Sequence, residues 1–181
     1  MGIKYIIPRY DEGLGDVTDI IRDEGMETVL KSADVVIKEM SRERGLSIKN
    51  MNSLARSVTK RERQNPIFLS ADEVMVQLKV RRSIVGGDPV FGYFNINEIT
   101  FLSDNQVFLK NDCRLSILES DAKGMERIDH AKEFKRLMVF DILRLHTIDL
   151  EEVEAAYKKA KVVSPSDFHK AWIKKNGNKS E

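Results

Sequence analysis

A single cysteine in 181 residues, Cys113, excludes an internal disulfide and fits a reducing cytoplasm. No apolar run approaches the ~18 residues that a membrane helix needs, so the sequence predicts no membrane span. The opening MGIKYIIPRYDEG has no long apolar stretch ending in a small-residue cleavage site, and Ile6 stands where a myristoylation signal wants Ser or Thr. Histidine is scarce as well. His130, His146 and His169 lie far apart with no partner at metal-ligand spacing, so they read as surface or core residues. Cys113 has no adjacent base and reads as a plain strand cysteine rather than a nucleophile. The glycines of GLG at 13–15 and GG at 86–87 match neither a Walker loop nor a dinucleotide fingerprint. Two Asp-Glu-Gly triplets, at 11–13 and 23–25, lack the alternating oxygen ligands that calcium requires and read as turns. Glu151 and Glu152 are explained by solvation on a helix face. The expectation is a protein with no catalytic residue, no metal and no cofactor, hence not an enzyme.

What is present is a globular composition, 41% hydrophobic and 33% charged, in a chain long enough for one domain with a small appendage. The pattern predicts an α+β fold: a mainly antiparallel sheet of short strands, one N-terminal helix and two to three C-terminal helices. IKYIIP reads as a strand stopped by Pro8, and VTDIIRDEG with METVLKS as a hairpin turning at Asp23-Glu24-Gly25. SADVVIKEMSRERG switches to helical period, with Ser32 as cap, Val35, Val36 and Met40 on one side, and Gly45 as stop. Residues 46–65 are polar and basic without clear period and read as loop with at most a helical turn. From Pro66 to Ser120 short β-branched and aromatic runs predict strands, among them one continuous run VFGYFNINEITFL and a half-buried pair carrying Val107, Leu109, Leu115 and Ile117. Beyond Ser120, Ile128, Ala131, Phe134, Met138, Ile142 and Leu145 form the stripe of a long amphipathic helix. Asp149 and Ser164 are expected to cap two further helices, the last carrying Phe168 and Trp172 on one face. The predicted division is a core over 1–146 and a helical extension over 147–181.

A net charge of +1 conceals strong alternation. Residues 1–39 carry five Lys/Arg against nine Asp/Glu, −4; residues 40–82 carry ten against four, +6. Residues 83–157 carry eight against fourteen, −6, and residues 158–181 seven against two, +5. Such separation along the chain permits a basic face despite a mild pI. The densest stretch, RSVTKRERQNPIFLS, sets Arg56, Lys60, Arg61 and Arg63 against Glu62 alone. A solvated loop explains it, and so does a grip on an anion. Arg81 and Arg82 after the next strand, and Lys158, Lys159 and Lys161 before the last helix, shift the balance toward phosphate contacts.

Residues 3 to about 120 resemble the family of the competence transcription factor ComK. The likeness rests on order and spacing: IIPRYDEGLGDVTDII for an opening strand, turn and second strand; VLKSADVVIKEMSRERGLS, with Arg42, Gly45 and Ser47, for an apolar helix ending near Gly-x-Ser; and Val58-Thr59-Lys60 ahead of Pro66-Ile67. Pro89, Gly92 and Tyr93 stand where relatives have Pro and a Gly-Trp pair, and Val107, Asn111 and Ser120 match a strand, an Asn-type turn and a Ser-ended strand. The chain departs from the pattern at Val76-Gln77-Leu78, where relatives tend to Phe-Pro-Thr, at Phe91 in place of Cys, and at Tyr93 in place of Trp. It has no match to the aromatic-Pro-Lys tail through which a protease adaptor takes the founding member.

The resemblance implies a nucleoid-associated activator of transcription, without membrane contact, bound as a dimer or tetramer to the minor groove of paired AT-rich boxes in double-stranded DNA. RNA polymerase or other regulators are its implied partners. Arg56, Lys60, Arg61 and Arg63 would be the first DNA contacts, with Arg81 and Arg82 second. The competing expectation is a protein-interaction module that has lost its DNA contacts and antagonises a related regulator.

Overall fold

The computed structural model describes residues 2–84, 86, 88–110 and 112–146, with side chains as far as residue 140. The chain divides into two units, Met1–Lys135 and Arg136–Glu181. The expected helices beyond Asp149 lie outside the described residues, as do Lys158, Lys159 and Lys161.

The fold is α+β, built on antiparallel strands. A six-stranded sheet has the order β3-β2-β1-β6-β5-β4, from β1 (Ile3–Asp11), β2 (Gly15–Arg22), β3 (Gly25–Val29), β4 (Ile67–Ser70), β5 (Glu73–Lys79) and β6 (Phe91–Asn95). Two meanders, one from each end of this segment, join where β1 meets β6 at Tyr5–Phe94 and Ile6–Tyr93. A second sheet, β7-β8-β9, follows from Ile99–Ser103, Gln106–Leu109 and Arg114–Ser116. The helices are α1 (Ala33–Glu43), α2 (Ile48–Thr59) and α3 (Asp121–His146).

Alternation along the strands makes two apolar layers. On one face Ile6, Ile20, Met75 and Tyr93 form a buried cluster with Ala33, Val36, Ile37 and Met40 of α1. Burying side chains of this size contributes about 1.5–3 kcal/mol each, so α1 is held by tertiary packing. A polar contact fixes its first turn: the Tyr93 hydroxyl donates to Asp34 Oδ1 at 2.5 Å, and burial, then the Asp34 carboxylate, push the phenol well above its ordinary range. The opposite face presents Val74, Val76, Leu78 and Phe94, all buried. Gly124 of α3 lies so close to Leu102 of β7 that a Cβ there would collide with it, and Ile128, Ala131 and Phe134 are buried.

The structure corrects several expectations. β1 does not stop at Pro8; it continues to Asp11 paired with β2 alone, beyond the last pair with β6, where a missing N–H is tolerated. Ser32 stands at the N-cap of α1, but its carbonyl, not its hydroxyl, accepts the first helical bonds from Val35 and Val36. Val35 is exposed, and Ile37 takes its place in the core. The run VFGYFNINEITFL is two strands in different sheets. Asn95 is buried between them and donates to the carbonyls of Ile3 and Asp72, ending β6. Residues 46–65 are not loop: most form α2. Ser47 Oγ accepts from the Asn50 amide, and Met51, Ala55 and Thr59, four apart, are buried. In α3 the buried positions after Phe134 are Leu137 and Phe140 rather than Met138.

Candidate nucleic-acid interface

The stretch 56–63 begins on the last turn of α2 and leaves it through Lys60, a C-cap in the left-handed region at φ 57°. Its amide closes the helix on the Arg56 carbonyl at 2.9 Å. A second left-handed residue, Gln64, also at φ 57°, turns the chain back toward β4. The loop between them is latched from inside. Thr59 Oγ1 donates to Asn65 Oδ1 at 2.9 Å in a buried contact, and Asn65 Nδ2 donates to the Arg61 carbonyl. Gln77 of β5 donates to the Asn65 carbonyl at 3.1 Å. Buried polar groups satisfied in this way cost much to disturb, so the backbone bearing Lys60, Arg61 and Arg63 is fixed.

The cations differ in what they can still offer. Arg61 is mostly covered and its Nη1 lies 2.8 Å from Glu126 Oε1. Arg56 is exposed and sits 3.6 Å from the exposed Glu62, a surface pair of small worth. Lys60 and Arg63 are exposed and make no ion pair among the described residues. Arg81 belongs to the fold: it is 14% exposed, donates from Nε to the Pro89 carbonyl at 2.7 Å and from Nη2 to Asp16 Oδ1 at 2.5 Å. That pin ties the turn before β6 to the start of β2. Arg82 is exposed, without an ion pair among the described residues, and shares the rim of an open pocket of about 410 Å³ with Lys79, Asn105 and Glu119.

Beneath this surface lies a residue that the sequence did not single out. Arg127 of α3 is 2% exposed and contacts Glu119, itself nearly buried, at 3.0 Å. It donates to the Gln77 carbonyl and to Gln64 Oε1, both at 2.7 Å, and its guanidinium stands over the Phe91 ring. Burial lowers its pKa from the ordinary arginine value, with Glu119 opposing and Arg61 reinforcing that shift. Glu119 Oε1 in turn accepts the Lys79 amide at 2.9 Å. One buried pair thus anchors both the loop carrying Lys60 and Arg63 and the strand end carrying Lys79 and Arg82. No local pattern marks it; a lone Arg on an amphipathic stripe is its sole trace in the sequence.

Among the described residues no group of three or more His, Cys, Asp or Glu could hold a metal, and no helix is long and apolar enough to cross a membrane. Comparison of the chain with protein-family models, curated proteins and solved structures finds no match.

Proposed function

We propose that this chain is a DNA-binding transcriptional regulator, an activator in the manner of the ComK family it resembles, that grips AT-rich duplex along the minor groove. The observation that carries the reading is the pair Lys60 and Arg63, exposed and without an ion pair among the described residues, on a loop whose backbone is locked by Thr59 and Asn65. An anionic partner gains most from cations that need neither leave a carboxylate nor be ordered on binding. A narrow A·T groove concentrates negative potential and draws such side chains in. Arg56 and Arg82 stand as secondary contacts, while Arg61 and Arg81 act through the fold. Nucleoid association follows from the same reading.

The test is titration of an AT-rich and a GC-rich duplex at several salt concentrations, with the wild type and with Lys60→Ala/Arg63→Ala. The wild type prefers the AT-rich duplex, and the double variant loses about two contacts' worth of salt dependence, a slope change of about 1.8. Equal slopes, or equal affinity for both duplexes, overturn the reading. The pairing of Arg61 and Arg81 with carboxylates favours the alternative, a module that antagonises a related regulator by protein contact. That alternative requires a protein that holds no DNA even at low salt.

A further inference from the structure

The second sheet has two unlike faces. On one, Val107 and Leu109 are buried and Leu102 meets Gly124 of α3. Alternation along the strands puts Phe101 and Ser103 of β7, Gln106 and Phe108 of β8, and Arg114 and Ser116 of β9 on the other. The register aligns these six in two rows, Phe101–Phe108–Arg114 and Ser103–Gln106–Ser116. This face is open: Phe101 is 48% exposed, Arg114 and Ser116 are exposed, and the other three are half-buried.

The first row is an aromatic stack that ends in solvent. The rings of Phe101 and Phe108 stand 4.2 Å apart between centroids and 14° from parallel. β7 is an edge strand, so the ring face that Phe101 turns away from Phe108 has no described strand beyond it. Arg114 closes the other end of the row, opposite Phe108, without an ion pair among the described residues. None of the six residues is a carboxylate. Asp104 and Asp112, the acids nearest to the face in sequence, lie outside the strands.

We propose that this face binds an unpaired nucleic-acid strand. One base continues the stack on Phe101, Arg114 takes a phosphate, and Ser103, Gln106 and Ser116 meet polar base edges. A ring offered face-on stacks with any base, because every base has a π face. Two strand spacings, about 10 Å, separate Phe101 from Arg114, a span that one nucleotide and an extended arginine cover together. Two apolar residues among four polar ones do not make the apolar, charge-depleted centre of a protein interface. A duplex keeps its bases stacked on one another, so the base that reaches Phe101 comes from a single strand. Ribose and deoxyribose strands share this chemistry. Nothing in the inference rests on the duplex reading of Lys60 and Arg63, and the two are tested apart.

The probes are labelled oligothymidylate and oligouridylate of about 12 nucleotides, within the usual site size of a small domain. Anisotropy titration with the full chain shows binding that weakens with salt, and the tighter of the two oligomers identifies the sugar. Phe101→Leu, which keeps an apolar neighbour for Phe108, weakens binding about five- to a hundredfold, and Phe101→Tyr retains it. Arg114→Ala lowers the slope of log affinity against log salt by about 0.7, the value of one single-strand phosphate. Lys60→Ala/Arg63→Ala changes neither quantity. Ultraviolet cross-linking of an iodouracil-substituted oligomer labels the peptide that contains Phe101. No binding to either oligomer at low salt, or binding indifferent to Phe101→Leu, overturns the proposal. Binding lost in Lys60→Ala/Arg63→Ala also overturns it, while leaving the duplex reading standing. So does a chain that ignores both oligomers and changes its sedimentation on Phe101→Asp, since the face is then a protein contact.

Discussion

Replacing Arg127 with Met should be among the most damaging single changes available in the described fold. The side chain is 2% exposed and meets Glu119 at 3.0 Å, the Gln77 carbonyl and Gln64 Oε1 at 2.7 Å, and the Phe91 ring. Met retains much of the volume, so little of the cost is a cavity. What remains is the Glu119 carboxylate in a nearly closed site, with the Lys79 amide as its one remaining donor among the described residues. Removing one partner of a buried pair in this way costs about 3–5 kcal/mol, because the other charge is stranded. A domain of ordinary stability has about 5–15 kcal/mol in total. With a urea dependence of about 2 kcal/mol per molar, the unfolding midpoint falls by about 1.5–2.5 M.

A second substitution separates stranded charge from lost packing. Glu119→Gln keeps an oxygen for the Lys79 amide and removes the charge. The pair Arg127→Met/Glu119→Gln should therefore be more stable than Arg127→Met alone, with a coupling of about 2 kcal/mol or more. Urea titrations of the four proteins, followed by circular dichroism, supply the cycle. A cost below about 1 kcal/mol for Arg127→Met would place it among ordinary surface changes. That result, or a double variant no better than the single, would refute the electrostatic reasoning. Because Gln64 loses its donor too, the loop loosens, and on the proposed function the same variants should bind DNA more weakly.

Two further outcomes follow from individual residues. Burial, then Cys113 at 3.6 Å, pushes the Tyr5 phenol up to about 12 from an ordinary 10, so its neutral form is favoured in the folded chain. Stability from this group is complete below pH 10 and is lost as pH rises through about 12. Tyrosinate absorbance should show two groups, Tyr5 and Tyr93, ionising late, and Cys113→Ala should bring one of them, Tyr5, back toward its normal range. Lys60→Gly relieves a left-handed residue at φ 57° and stabilises the fold by up to about 1 kcal/mol, and on the proposed function it should nevertheless weaken DNA binding. A variant that gains stability and keeps full affinity would remove Lys60 from the interface.

Strong periodicity made the strand content, the β2–β3 turn and the long α3 legible, and the reasons for the misses are specific. Helix α2 hid because its buried stripe is narrow, one residue per turn, and one of the three is the polar Thr59. Its signal was the cap, Ser47 with Asn50 three positions on. The sheet change at Asn95 was invisible because it depends on carbonyls of Ile3 and Asp72 that only the fold brings near. The candidate site was half legible. A cluster of cations can be counted in a sequence, but whether each is free cannot, since Arg61 meets Glu126 and Arg81 meets Asp16 across long stretches of chain. The support for the loop, from Asn65, Gln77 and Arg127, has no local signature at all.

A cation adds to a protein's external field only to the extent that its own chain leaves it unmet, and only a fixed one makes that field specific. Lys60 and Arg63 satisfy both conditions by a division of labour. Thr59, Asn65 and Arg127 take up the internal hydrogen bonding, and Arg61 answers Glu126, so the two outward side chains carry no structural duty. On the proposed function, few such contacts per chain imply modest affinity and a steep dependence on salt, because each of them is a phosphate contact that releases counterions.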